Sequence, residues 1–245
     1  MKKLLILVFL LVTQLLAYSE SYKLAEQAKK SGDYKKAITY TFEQLDEDLN
    51  AYGKYAKEVI IAYGQLGYLY EKLGEYDNAL KYNLKALTIE KKILPKNGPT
   101  TATTYNNIAS VYRKQKKYDE ALENYEKSLK MQTIVYGKKD TLLATTYSSM
   151  GSVYRKQKRY NEALDAYGKA LTIREEALGL GHISIANISN NIGLVYFKQG
   201  KHQEALNELD KALKIQKKVL GNTHASTKKT QKNIDYLKKY MLKKQ

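Results

Sequence analysis

The chain has no cysteine and no tryptophan, and only two prolines, three histidines and three phenylalanines in 245 residues. Each scarcity excludes something. Without cysteine there is no disulfide, no thiolate metal site, no cysteine nucleophile and no thiol to carry a lipid anchor. Three histidines and no HExxH sequence leave no zinc-enzyme signature. No glycine-rich phosphate loop occurs either. So little proline suits long helices better than many short strands and turns. Acid is also short, with 25 Asp and Glu against 42 Lys and Arg and a net charge of +17. What the chain does have is tyrosine, 23 of it, and a hydrophobic content of 43%, enough for a packed core.

Residues 1–17 differ from the rest. Lys2 and Lys3 precede the apolar run Leu4 to Val12, and Leu15-Leu16-Ala17 follow. This is the shape of a secretory signal peptide with Ala17 as its last residue. The run is shorter than the roughly 20 apolar residues of a spanning helix. The expectation is export, with the bacterial periplasm as destination. The alternative is an inner-membrane anchor through residues 4–16. Cleavage would remove two positive charges and no negative ones.

A repeat fills the remainder. "YNNIASVYRKQKKYDEALENYEKSL" (105–129) aligns with "YSSMGSVYRKQKRYNEALDAYGKAL" (147–171) at a shift of 42. The same shift relates Gly67, Ala109, Gly151 and Gly193. It relates Tyr70, Tyr112, Tyr154 and Tyr196, and also Ala79, Ala121, Ala163 and Ala205. A weaker first copy holds Ala25, Gly32, Tyr34 and Ala37. Five units follow: 18–59, 60–101, 102–143, 144–185 and 186–227, with the basic segment 228–245 beginning a sixth. Each unit reads as two helices. Tyr105, Ile108, Ala109 and Tyr112 have the spacing of one helix face, and Tyr118, Ala121, Leu122, Tyr125 and Leu129 form another. Gly32, Gly74 and Gly200 stand in the turn between helices, where units three and four have Gln-Lys. Gly98-Pro99 and Asp140-Thr141 read as N-cap and first helical residue, and His182 and His224 fall at the same cap position.

This pattern resembles the tetratricopeptide repeat, in the 42-residue form of kinesin light chains and many bacterial proteins. The resemblance covers residues 18–245. It implies an all-α fold: a right-handed superhelical solenoid of five helix-turn-helix units plus a C-terminal capping helix, eleven helices in all. It also implies that the first helices line a concave binding groove. The sequence holds no catalytic constellation, so the expectation is a protein that is not an enzyme and needs no cofactor. Unit one departs from the pattern, with Gln44 for the usual Ala and an acidic run at Glu43 and Asp46-Glu47-Asp48. A terminal unit, open on one side, tolerates this.

A helical wheel at about 100° per residue picks out the side of each first helix away from the core. In unit three this strip is Thr103, Asn106, Ser110, Arg113 and Lys114, flanked by Asn107. In unit four it is Thr145, Ser148, Ser152, Arg155 and Lys156, flanked by Ser149. In unit five it is Asn187, Asn190, Leu194, Phe197 and Lys198, flanked by Asn191. Amide and hydroxyl groups suit hydrogen bonds to an extended backbone, and the cations call for an acidic partner. The reading is a scaffold for a protein or peptide segment. The alternative is a nucleic-acid or anionic-surface binder working through its basic faces. Nucleic acid is disfavoured by the export signal and by charge spread over both helices of every unit. Residues 228–245, with seven Lys and one Asp, form a capping helix that offers a possible contact to an anionic membrane. The three His read as caps and turn packing, since no acidic ligands accompany them.

Overall fold

The structure is a computed structural model that describes residues 20–243. The leader reading of residues 1–17 lies outside the described residues. Eleven helices occur among the described residues, and no strand. They are α1 (residues 20–30), α2 (Tyr34–Tyr52), α3 (Lys57–Leu73), α4 (Tyr76–Ile93), α5 (Pro99–Lys114) and α6 (Tyr118–Tyr136). Then come α7 (Thr141–Lys156), α8 (Tyr160–Leu178), α9 (Ile183–Lys198), α10 (His202–Leu220) and α11 (Ala225–Leu242). Each sequence unit supplies two helices, and α11 is the capping helix. From α3 onward the first helices begin about one turn ahead of the unit numbering used above, at Lys57, Pro99, Thr141, Ile183 and Ala225.

The chain divides into two compact units, Met1–Met131 and Gln132–Gln245. In the N-terminal unit α3 packs on α2 and α4, and α4 on α5. Leu45, Val59, Leu66, Leu69, Tyr82 and Ile89 are buried together there. In the C-terminal unit successive helices from α7 to α11 pack on one another. Leu209, Leu213, Ile234 and Leu237 form a core that joins α10 to α11. The small-residue position works as the sequence implies. A Cβ on Gly151 would lie 2.8 Å from the ring of Tyr167, and one on Gly67 would lie 2.6 Å from the Asn83 amide. Tyr105, Ile108 and Ala109 are buried, as are Ala121, Leu122 and Tyr125.

Helix ends follow local chemistry. The Asp140 carboxylate accepts from Leu142 N at 2.8 Å. His182 and His224 do the same through Nδ1, each accepting from the backbone N–H two residues on at 3.2 Å. Gly98 caps α5 and Pro99 is its first residue. Two different turns alternate along the chain. Within a repeat, Gly32, Gly74 and Gly200 have φ of 80°, 79° and 78°, and Lys116 and Lys158 take the same left-handed conformation at 62° and 63°. Between repeats, Gly53, Gly179 and Gly221 combine φ near +80° with ψ of 174°, 158° and 169°.

One register position was not visible as a pattern of hydrophobicity. Residues 48, 90, 132, 174 and 216 are all polar: Asp48, Glu90, Gln132, Arg174 and Gln216. Four of them are buried. Glu90 Oε1 accepts from the Thr104 hydroxyl at 2.7 Å, and Gln132 Oε1 accepts from that of Thr146 at 3.1 Å. Arg174 donates to the Thr145 hydroxyl at 2.7 Å. Glu90 and Gln132 thus tie the C-terminal part of a second helix to the first helix of the next repeat by a buried polar contact, whereas the Arg174 contact is exposed and reaches the first helix of its own repeat. Asp48 has no such partner, because Ala62 stands where Thr104 and Thr146 stand.

Candidate functional site

The first helices set the strip by their own geometry. Residues 103, 106, 110 and 113 lie on the side of α5 away from the buried Ile108 and Val111, with 107 and 114 at its flanks. In the N-terminal unit Thr103 and Lys114 are exposed, while Asn106, Asn107, Ser110 and Arg113 are half-buried. The structure takes up part of this strip. The Ser110 hydroxyl donates to Glu71 Oε1 of α3 at 3.0 Å, and that of Thr103 donates to the Pro99 carbonyl at 3.1 Å. Glu71 is the counterpart of Arg113 one repeat earlier, so the charge at this position reverses within the unit.

In the C-terminal unit Ser148, Ser152 and Arg155 are half-buried on α7 and Lys156 is exposed. Thr145 is engaged by Arg174. On α9, Asn187 and Lys198 are exposed, and Asn190 and Asn191 are half-buried. The Asn190 side-chain oxygen accepts from the Thr230 hydroxyl of α11 at 3.1 Å. The three asparagines come together at a hollow of about 250 Å³, completed by Leu194, Gln216 and the α11 residues Ser226, Lys229, Thr230 and Asn233. Leu194 and Asn233 also line a second hollow of about 280 Å³ with Gly193, Phe197, Lys198, Leu209, Tyr236 and Leu237. The two form one trough, amide-lined at one end and aromatic at the other.

The strip read from the sequence stops at unit five, whereas α11 also contributes to this trough. The 42-residue shift carries Asn191 to Asn233 and Leu194 to Tyr236, so the incomplete sixth unit continues the strip. Tyr236 is 61% exposed and sits edge-on to Phe197, with ring centroids 6.1 Å apart. His202 belongs to the same aromatic group, 5.1 Å from Tyr240.

Arg113 and Arg155 share an uncommon situation. The Nε of each is out of contact with water and has no acceptor. Among the described residues neither guanidinium makes an ion pair, although surface lysines pair with carboxylates elsewhere. A half-buried guanidinium without a carboxylate keeps its binding capacity for something else. Among the described residues no group of three or more His, Asp or Glu is placed to hold a metal ion. No described helix is long and apolar enough to cross a membrane.

Paired antiparallel helices in a fixed register, with a polar strip on the first of each pair, define a helical-repeat interaction protein. The chain belongs to the tetratricopeptide-repeat family, whose models match residues 100–176, 184–234 and 60–93. No curated protein sequence matches it. Among solved structures it is similar to BtubC (BKLC) from P. vanneervenii. That match has 22% identity and a TM-score of 0.74, and covers 86% of this chain and 91% of that one. It is also similar to a putative kinesin light chain with TPR-like repeats from Podospora anserina, at 17% identity and a TM-score of 0.70, covering 82% and 96%. A third match is the apo form of RapI, at 19% identity and a TM-score of 0.71, covering 92% and 84%. At these identities the likeness is one of fold.

Proposed function

We propose that the protein is a non-enzymatic scaffold, exported from the cytoplasm, that holds an extended segment of a protein partner along the first-helix strip of its C-terminal unit. The observation that carries this is Arg155, a guanidinium built into the strip with no carboxylate of its own. Its complement is an acidic side chain. Ser148, Ser152, Asn187 and Asn191 supply hydrogen bonds to a backbone running past them. The amide-lined hollow beside α11 extends the same surface. Arg113 gives the N-terminal unit a cation of the same kind.

Panning an unbiased library of short peptides on the full chain tests this. Acidic peptides should be enriched, and Arg155→Glu should abolish their retention while far-ultraviolet circular dichroism stays unchanged. A charge-assisted contact of this kind is worth about 1.5–3 kcal/mol, or roughly ten- to hundredfold in affinity. Lys238→Glu, on the capping helix, should leave retention intact. Retention that survives Arg155→Glu and is lost with Lys238→Glu would move the contact to the capping helix and end the groove reading.

A further inference from the structure

The opposite edge of the C-terminal unit carries a surface that neither the stack nor the groove uses. Within this unit the α6–α7, α8–α9 and α10–α11 connections lie at the same end of the successively packed helices, and large apolar side chains are exposed there. Ile134 is 58% exposed, Tyr136 40%, Leu142 44%, Leu178 40%, Leu180 70% and Val219 49%. Packing does not require them. Leu180 sits at the tip of the α8–α9 connection between Gly179 and Gly181. The equivalent residues in the other connections are Lys54, Lys96, Lys138 and Asn222. An isolated exposed leucine, such as Leu242 at the C-terminal end of α11, is ordinary, but six large apolar side chains at one end of the unit's helices form a patch.

Cations accompany the patch. Lys138 and Lys139 occupy the α6–α7 connection. The Lys139 ammonium meets Glu176 Oε2 at 2.9 Å, which places this connection against the last turn of α8, beside Leu178. That pair is largely exposed and so contributes little to stability. At the far end of the same edge, Lys217, Lys228 and Lys232 line one hollow of about 430 Å³ together with Asn222 of the α10–α11 connection.

From this we infer that the edge of the C-terminal unit formed by the α6–α7, α8–α9 and α10–α11 connections docks on an anionic lipid bilayer. Its apolar tips enter the headgroup boundary and its lysines lie at the level of the phosphates. The chemistry selects a membrane over a protein partner. Lysine is depleted at the centre of protein interfaces, whereas apolar tips flanked by lysine suit a surface that is apolar below and anionic above. Leu180 stands in a connection and the other five in the terminal turns of α6, α7, α8 and α10, so the apolar groups come from separate helix ends. A fluid interface receives such points more readily than a packed protein face does.

The absence of tryptophan supplies the test, because any indole introduced is the only one in the chain. Full-length L180W and K201W are compared. Lys201 is exposed at the start of α10, on the turn edge of the same unit. Vesicles of phosphatidylcholine with about one third phosphatidylglycerol should blue-shift the L180W emission. Bilayer-brominated lipid should quench it at least twofold more than it quenches K201W. L142W, on the same edge, should follow L180W. Pure phosphatidylcholine should need about tenfold more lipid for the same shift. Because each variant retains residues 1–17, tethering by that segment acts on all of them equally, and the contrast between edges remains. Equal quenching of the two edges, or no shift in L180W and L142W, overturns the proposal. So does equal response to neutral vesicles. A blue shift without vesicles that grows with protein concentration would assign the edge to a second copy of the chain instead.

Discussion

Asp48 is fully buried and lacks the hydroxyl partner that Glu90 and Gln132 have. Burial pushes its pKa up to about 6, with the Glu58 and Glu47 charges adding to the rise and Gln44 opposing it. Its counterpart Glu90 is also raised by burial, but the hydroxyls of Thr104 and Thr101 counter part of that rise. A carboxyl raised above its unfolded value is held preferentially as the neutral acid. Its contribution to stability is complete below about pH 4 and is lost as pH rises through about 6. The full span for a shift of this size is at most about 3 kcal/mol. Asp48→Asn keeps the shape and removes the titration. Chemical denaturation should show it more stable than the parent at pH 7.5 and equal to it near pH 4. Ala62→Thr, which copies the hydroxyl found at Thr104 and Thr146, should recover part of the same gain. An Asp48→Asn variant with the parent's pH profile would show that the carboxyl is not held neutral.

The two kinds of turn explain why glycine is replaceable in one and not in the other. Within a repeat the turn residue is left-handed, a conformation that costs an L-residue roughly 1–2 kcal/mol. Lys116 and Lys158 bear that cost. Between repeats Gly53, Gly179 and Gly221 occupy a region of φ and ψ that is essentially restricted to glycine. Unit two does not place another residue there. It leaves α4 through an extended Leu94 followed by Pro95. Lys158→Gly should therefore raise stability by about 0.5–1 kcal/mol, the strain relieved less the extra freedom glycine gains when unfolded. Gly179→Ala should lower it by about 1–3 kcal/mol. Thermal melts of the two variants check both signs. The helices were legible because Tyr, Ala and small residues recur at fixed offsets. The caps were legible because Gly98-Pro99, Asp140 and His182 announce themselves locally. The polar position at 48, 90, 132, 174 and 216 is not, since its five side chains differ in charge and burial, which four of them share, leaves no mark in the sequence. For the same reason the strip was recognised but its occupancy was not: Ser110 is taken by Glu71, and Thr145 by Arg174.

At the scale of the whole molecule, the export proposal and the groove proposal rest on separate segments. The leader reading predicts that intact mass spectrometry of the protein from its native host will find a chain beginning at Tyr18. Full-length chain in a soluble cytoplasmic fraction would end the export proposal, and full-length chain in the membrane fraction would favour the anchor. The capping helix adds a further separation. In α11 the positions that face a second helix in complete repeats hold Gln231, Asp235 and Lys238, in place of Tyr105, Ala109 and Tyr112 of unit three. Its opposite side continues the strip with Lys229, Asn233 and Tyr236. One helix therefore closes the apolar core with α10 and still continues the polar strip. Across the repeats the strip position filled by Ser110 becomes Ser152, Leu194 and Tyr236, while the buried Ala121, Ala163 and Ala205 do not change. Descent can thus rewrite the recognition surface one repeat at a time, as a text is edited line by line, with the binding of the pages left untouched.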